Sequence, residues 1–169
     1  ISAGWVPALE LFHMAGGKTE YNKERSEILP ITNPSHLYVA GRATGTHALD
    51  QQITQGEQAG LQAFNAINSE TNGLLCEMPT VTDETIRTSA HLSIPSKKKQ
   101  FVCFCEDVTD QDIETAVEEG YQSIELLKRY STVSMGPCQG KMCSMNTIHR
   151  CAHANNWTVQ ETGKTTARP

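Results

Sequence analysis

Four of the six cysteines form two close pairs in the second half of the chain, Cys103-x-Cys105 and Cys138-x4-Cys143. The segment 106–137 separates the two pairs. A disulfide within the first pair is awkward, because bridged cysteines need a defined separation that one intervening residue does not readily allow. Four thiolates are the number that ligates a [2Fe-2S] cluster. The spacing therefore predicts a metal site made of these four cysteines.

Zinc is the alternative occupant of such a site. Structural zinc sites usually present C-x2-C to C-x4-C knuckles. The single-residue spacing of Cys103 and Cys105 fits these knuckles less well than it fits an iron–sulfur cluster. We therefore favour iron–sulfur and keep zinc as the competing hypothesis.

The other residues that could do chemistry favour simpler interpretations. Cys76 and Cys151 have no close cysteine partner and are interpreted as inert thiols. His149 and His153 share one helical face, but four cysteines already complete a cluster, so we interpret both as surface or packing residues. No nucleophile with an accompanying base is recognisable, and we assign no catalytic residue.

Short helices are predicted to position the cysteine pairs. Thr109 and Asp112 have the spacing of a capping box at the start of a helix that Gly120 ends. Ser123 is placed to cap a second short helix. Cys138 is predicted at the N-terminus of a third helix, where free backbone amides can donate to sulfur.

The first half of the chain predicts a strand, a glycine-rich turn and a helix. The strand signal is HLYVAG, residues 36–41. Gly41 lies at its end, and Gly45 follows four residues later. A helix beginning near Leu49 would aim its N-terminal amides at an anionic group. Ligands bind at the carboxyl ends of strands in open α/β sheets, so this turn is a candidate cofactor site.

Length, composition and charge restrict the class of protein. The chain has 169 residues, 38% of them hydrophobic, as expected of a globular protein. A net charge of −5 argues against nucleic acid as a partner, and the basic run at 96–100 is interpreted as a solvated linker. No apolar stretch approaches the roughly 20 residues of a membrane span. A cytoplasmic location is expected, where cysteine clusters favour metal chemistry over disulfides.

The composition predicts three zones. Residues 1–69 carry glycine-rich turns, a strand signal and a helical stretch, residues 70–100 form a linker rich in Pro, Thr, Ser and Lys, and residues 101–160 hold the clustered cysteines and short helices. The family resemblances of these segments, given next, imply an α+β fold in which 1–69 is part of a dinucleotide-binding domain and 161–169 is a bridge to a further domain.

The first zone resembles the C-terminal part of the two-dinucleotide-binding (Rossmann-like) fold of flavin-dependent disulfide reductases. The resemblance rests on SAGWVPALELFHMAGG and on HLYVAGRATGTHALDQQITQGEQAGLQA. It implies that Gly41, Arg42 and Ala43 contact the dinucleotide. That family usually carries Asp where this chain has Arg42, so FAD and NAD both stay open. No G-x-G-x-x-G occurs, and the phosphate-binding turn is expected in sequence outside this chain.

The cysteine-bearing zone resembles the small [2Fe-2S] module of bacterioferritin-associated ferredoxins. The longer segment from CEDVTDQDIETAVEEGYQSIELLKRY through GPCQGKMC, with the closing TTARP, resembles the α subunits of heterotetrameric sarcosine oxidases. It is also similar to related dye-linked dehydrogenases of N-methylated amino acids, proline and opines. The resemblance implies a [2Fe-2S] cluster on Cys103, Cys105, Cys138 and Cys143.

These resemblances imply an electron-transfer and cofactor-binding part of a multi-subunit flavoenzyme that oxidises sarcosine or another secondary amino acid. Its implied partners are the rest of its own α chain and a flavin-bearing β-type subunit, with FMN at a subunit interface. The isolated chain is expected to be inactive. Two alternatives stay open, a zinc-stabilised structural or interaction module and a cluster-free scaffold subunit of the same complex.

Overall fold

A computed structural model describes residues 6–34, 36–68 and 98–166. The chain forms two compact units, Ile1–His91 and Leu92–Pro169. The boundary falls within the predicted linker 70–100, most of which lies outside the described residues. Helices and strands are both present, in the chain order α1 (Glu10–Met14), β1 (Lys18–Asn22), β2 (Glu27–Thr32), a 3-10 helix (Gly41–Thr44), α2 (Leu49–Asn68), β3 (Phe101–Cys103), β4 (Val108–Thr109), α3 (Asp110–Glu118), α4 (Ile124–Ser131), α5 (Ser144–Asn155) and α6 (Val159–Thr162).

The first unit is built on an antiparallel hairpin of β1 and β2, in which Tyr21 pairs with Ile28. Asn22 accepts a hydrogen bond from the Arg25 backbone amide across the turn, at 2.9 Å. Phe12 of α1 is buried, and its ring lies where a side chain at Gly17 would sit, since a Cβ there would come within 2.3 Å of it. Glycine is thus required at position 17 for the helix to pack.

The predicted helix near Leu49 is confirmed as α2, which runs from Leu49 to Asn68. Its apolar positions are mainly exposed, in contrast to those of the second unit. The exposed apolar residues of α2 are Leu49, Ile53, Leu61, Phe64 and Ile67.

The strand predicted at 36–41 does not form. Ala40 has extended dihedral angles, and the chain then turns directly into the 3-10 helix at Gly41. A strand needs a hydrogen-bonding neighbour, and within the described residues β1 and β2 pair only with each other. Ala40 is therefore extended, but it is not hydrogen-bonded to a neighbouring strand.

The second unit packs helices over a short β3–β4 pair. Helix α3 contacts both α4 and α5, and α5 also contacts α6. Its apolar core is formed by side chains that are at most 8% exposed, namely Val102, Val108, Ile113, Ala116, Val117, Ile124, Leu127, Val133, Ile148 and Ala152. This core holds the start of α5 and the end of β3 in place, which are the two ends that carry cysteines.

The starts predicted for the first two helices of this unit are confirmed. Thr109 and Asp112 form a capping box at the start of α3, and the Ser123 hydroxyl accepts a hydrogen bond from the Leu126 amide at the start of α4. Gly120 follows α3 with φ +100°, a conformation that favours glycine.

The predicted start of the third helix is wrong by several residues. Helix α5 begins at Ser144 with Cys143 as its N-cap, so Cys138 lies in the preceding turn. The left-handed conformations of Gln139 and Gly140 explain the shift, because a helix cannot run through them.

Among the described residues, none of the helices has both the length and the apolar character needed to cross a membrane.

Candidate functional site

The four paired cysteines lie on loops and element ends of the second unit. Cys103 is the last residue of β3 and is 1% exposed, while Cys143 caps α5 and is 2% exposed. Cys105 is exposed in the turn after β3, and Cys138 is partly buried in the turn before α5. The two sequence pairs are thus each made of one buried sulfur and one more accessible sulfur.

The structure brings the two sequence pairs together. The Cys105 and Cys138 side chains are hydrogen-bonded to one another, and so are those of Cys103 and Cys143. Charge repulsion from Cys103 raises the pKa of Cys105, and charge repulsion from Cys138 raises that of Cys143. Each cysteine of the first pair therefore contacts one cysteine of the second pair.

The donor set fits an iron–sulfur or zinc centre in its chemistry. All four groups are thiols, which as thiolates are ligands for both metals. Within residues 6–34, 36–68 and 98–166, however, no group of three or more His, Cys, Asp or Glu side chains is arranged around a single metal-binding point. The four sulfurs are instead grouped as two interacting couples, Cys105 with Cys138 and Cys103 with Cys143.

Backbone amides stabilise negative charge on Cys138. The amide of Met142 lowers the pKa of the Cys138 thiol most strongly, and burial opposes it. The hydrogen bond with Cys105 and the amides of Gly140 and Lys141 lower it further, so the pKa lies below its ordinary value. The predicted donation of free amides to this sulfur is therefore present, although a turn supplies them in place of a helix.

The pKa of the Cys143 thiol is raised, and burial is the main cause. The Ser134 hydroxyl, 3.4 Å from Cys143 Sγ, opposes this effect, while the neighbouring Cys103 reinforces it. A buried thiolate at this position is costly unless a donor or a metal cation compensates its charge.

Cys105 is the most accessible sulfur of the four. The Cys138 amide donates to it and by itself lowers the pKa of Cys105, but the hydrogen bond with the Cys138 side chain and the charges of Cys138 and Cys103 raise it overall. Mutual repulsion among thiolates is the expected consequence of gathering them without a cation.

Gly136 brings the two cysteine loops into contact. A Cβ at this position would lie 2.5 Å from Cys105 Cβ and 2.7 Å from a carboxylate oxygen of Glu106. Such distances are shorter than a real side chain tolerates. The absence of a side chain at Gly136 thus allows the approach of Cys105 to Cys138.

The other cysteines and histidines singled out in the sequence lie in different surroundings. Cys151 is fully buried and its pKa is raised mainly by burial, as expected of an inert thiol. His149 is partly buried and His153 is exposed on α5. Cys76 lies outside the described residues.

The predicted dinucleotide contacts lie together in the 3-10 helix of the first unit. Gly41 has φ +68°, and its amide donates to the Gln55 side chain of α2 at 2.9 Å. Arg42 is exposed, and its guanidinium is hydrogen-bonded to His47. Ala43 is partly buried between these residues and the buried Thr44.

A buried polar network next to this helix was not predicted. Glu27 is 3% exposed, and it forms an ion pair with Arg25 at 3.2 Å and a hydrogen bond with His47 at 3.1 Å. Thr46 and Gln55 form a second buried group with a hydrogen bond of 2.8 Å. Charged residues in a hairpin normally indicate a solvated surface, so the sequence carried no signal that Glu27 is buried.

The fold and the site define a two-unit chain of mixed helix and sheet whose helical unit gathers two pairs of cysteines. Residues 97–169 match the family described as the sarcosine oxidase A3 domain. The chain is 37% identical over its whole length to the sarcosine oxidase subunit alpha of Rhizobium meliloti, of which it covers 17%.

Two further proteins are similar. The hydrogen cyanide synthase subunit HcnB of Pseudomonas aeruginosa is 52% identical over 85% of this chain and 35% of its own length. The crystal structure of L-proline dehydrogenase from P. horikoshii superimposes with a TM-score of 0.69 over 98% of this chain and 35% of that chain, at 22% identity, which shows a common fold.

Residues 97–169 therefore match the sarcosine oxidase A3 domain family, and the resemblance of the chain to sarcosine oxidase α subunits, inferred from the sequence, is confirmed. The chain spans 17% of the α subunit and 35% of the HcnB subunit named above.

Proposed function

We propose that this chain is the electron-transfer and cofactor-binding part of the α subunit of a multi-subunit, flavin-dependent oxidoreductase. The observation that carries the proposal is the contact of Cys105 with Cys138 and of Cys103 with Cys143. Two pairs separated along the chain converge on one place, as the ligands of a [2Fe-2S] cluster must. The similarity to subunits of sarcosine oxidase and hydrogen cyanide synthase supports the assignment to an oxidoreductase.

The four cysteines have different roles in this proposal. Cys103 and Cys143 are anchored in the core of the second unit and hold the buried side of the cluster. Cys105 and Cys138 hold the accessible side, where donor or acceptor can come close. When bound, a [2Fe-2S] cluster takes up and gives back one electron at a time. The amides around Cys138 stabilise the negative charge that its thiolate carries.

The surface near the accessible cysteines favours contact with another subunit. Phe104, between the first two cysteines, is 70% exposed, and Met142, next to Cys143, is 61% exposed. Aromatic residues and methionine are enriched at protein–protein interfaces. We propose that a flavin-bearing β-type subunit covers them, with FMN at the interface, and that oxidation of sarcosine or another secondary amino acid occurs on that partner.

The first unit is proposed to close a dinucleotide site, for FAD or NAD. Gly41 and Arg42 support this, because a left-handed glycine beside an exposed guanidinium allows a phosphate-bearing ligand to approach the backbone. We also propose a cytoplasmic location, because cysteine clusters in a reducing compartment favour metal chemistry over disulfides.

The test is substrate-driven reduction of the assembled complex. After anaerobic addition of an N-methyl amino acid, the wild-type complex should show flavin bleaching and the EPR signal of a reduced [2Fe-2S] cluster. Cys138→Ser should keep the bleaching and lose the signal, whereas Cys151→Ser, a buried cysteine outside the group, should keep both. An unaltered signal in Cys138→Ser would contradict the ligand assignment, and flavin bleaching without iron in the wild type would support the scaffold alternative.

A further inference from the structure

Ser134 occupies an unusual place between α4 and the cysteine turn. It is only 6% exposed, and its backbone has φ +67°, in the left-handed region that costs a serine free energy. Val133 beside it is fully buried and fixes the segment in the core. The fold therefore holds this hydroxyl-bearing residue in a defined and unfavourable backbone conformation.

The Ser134 hydroxyl contacts a cysteine of the candidate cluster site. Its oxygen lies 3.4 Å from Cys143 Sγ, and Cys143 is only 2% exposed. A metal-bound thiolate has no proton, so the hydroxyl is then the donor and the sulfur the acceptor. Hydrogen bonds between buried groups are electrostatically stronger than those in water.

Gly140 limits the positions that Ser134 can adopt. A Cβ at Gly140 would lie 3.2 Å from Ser134 Cβ and 3.5 Å from its hydroxyl oxygen, so the glycine backbone is packed against the serine. Gly140 also donates its amide toward Cys138. Gly140 thus donates to Cys138 and packs against Ser134, whose hydroxyl contacts Cys143.

We propose that Ser134 is a positioning residue that raises the reduction potential of the cluster by donating a hydrogen bond to Cys143 Sγ. The inference rests on the function proposed above. Reduction adds one electron, and hence one negative charge, to the cluster and its thiolates. A donor on a ligand sulfur stabilises this more negative state more than the oxidised state, which shifts the equilibrium towards reduction.

The test is a redox titration of the full chain with its cluster reconstituted anaerobically, with dithionite as reductant and EPR as the measurement. Ser134→Ala and Ser134→Gly both remove the hydroxyl, and glycine also relieves the left-handed backbone. We expect both variants to lower the one-electron reduction constant by roughly tenfold, a change of about 59 mV. Ser123→Ala, which removes the hydroxyl that caps α4, should leave the potential unchanged.

The outcomes separate this inference from the proposed function. Wild-type potential in both Ser134 variants, with iron retained, overturns the inference and leaves the cluster assignment standing. A lower potential in Ser134→Ala but not in Ser134→Gly also overturns it, because the backbone and not the hydroxyl would then be the cause. Lack of iron in the wild-type chain overturns both.

Discussion

The four cysteines of the second unit are chemically alike but lie in unlike surroundings. Cys138 receives backbone amides that lower its pKa, whereas Cys143 is buried and its pKa is raised. Cys105 is exposed and interacts with the charges of its neighbours. The thiolate state thus forms more readily at Cys138 than at Cys105 or Cys143.

Gly136 provides a test of how closely the two loops must approach. We predict that Gly136→Ala weakens iron retention, because its Cβ would lie 2.5 Å from Cys105 Cβ and must push the loop aside. Overpacking of this kind costs about 1–3 kcal/mol. Iron content after gel filtration in the presence of a competing chelator measures the effect.

The matched control is Gly60→Ala on the exposed face of α2, where an added Cβ meets no atom within 4 Å. It should stabilise the first unit by about 0.5–1 kcal/mol and leave iron retention unchanged. Equal iron retention in Gly136→Ala and the wild type would contradict the close approach of the loops.

The ligand residues could be predicted from the sequence because their spacing is local within each pair. The roles of Ser134 and Gly136 could not, since each depends on which cysteine the folded chain brings next to it. The residues next to Ser134 and Gly136 in the sequence form no motif that indicates contact with a cysteine.

Helix α3 depends on its N-terminal cap. The Thr109 hydroxyl and amide both donate to the Asp112 carboxylate, and Thr109 is 4% exposed. We predict that Thr109→Ala destabilises the helix by about 1 kcal/mol, since it leaves helix amides without a partner. Amide hydrogen exchange of α3 should become roughly fivefold faster.

Thr158 caps the short α6 through an equivalent box with Glu161, but it is exposed. Thr158→Ala is therefore the control and should leave exchange in α3 unaltered. Wild-type protection of α3 in Thr109→Ala would show that tertiary packing alone holds the helix.

Helix α4 ties down the end of the described chain. Glu125 accepts hydrogen bonds from the Thr165 hydroxyl and from the Thr166 amide, the latter at 2.8 Å, and Lys128 donates to the Thr166 carbonyl. Burial alone would raise the pKa of Glu125, but these hydrogen bonds and the charge of Lys128 outweigh it and lower the pKa below 4.5.

The tether should therefore depend on pH. Because the folded pKa is the lower one, its stabilisation is complete above about pH 4.5 and is lost as the pH falls through the folded pKa. We predict that the NMR signal of the Thr166 amide shifts as Glu125 becomes protonated in acid. Glu125→Gln should abolish that pH dependence, and Glu118→Gln, an exposed site on α3, should preserve it. A Thr166 signal that is independent of pH in the wild type would contradict the tether.

The starts of α3 and α4 could be predicted from the sequence. The start of α5 and the backbone of segment 36–41 could not. N-terminal caps are local, and neither the capping box at Thr109 nor the serine cap at Ser123 needed tertiary information. The segment 36–41 has strand propensity, but a ladder requires a neighbour that propensity does not supply. The sequence predicts Cys138 at a helix start, because nothing in the residue type of Gln139 indicates its left-handed backbone.

At the scale of the whole molecule, each unit contributes a different part of the proposed function. The second unit encloses its own core and carries the cysteine group. The first unit carries the dinucleotide candidates Gly41 to Ala43 beside a buried charged network centred on Glu27. The chain spans 17% of the sarcosine oxidase α subunit that it resembles. We propose that the substrate and the partner flavin bind outside these 169 residues.

Metal analysis with EPR of the anaerobically purified full chain tests the central claim most directly. We predict about two irons per chain, a rhombic signal after reduction, and loss of both when Cys103, Cys105, Cys138 or Cys143 is changed singly to serine, but not in Cys151→Ser. Stoichiometric zinc without colour, or full iron in all four serine variants, would contradict a [2Fe-2S] cluster at this site.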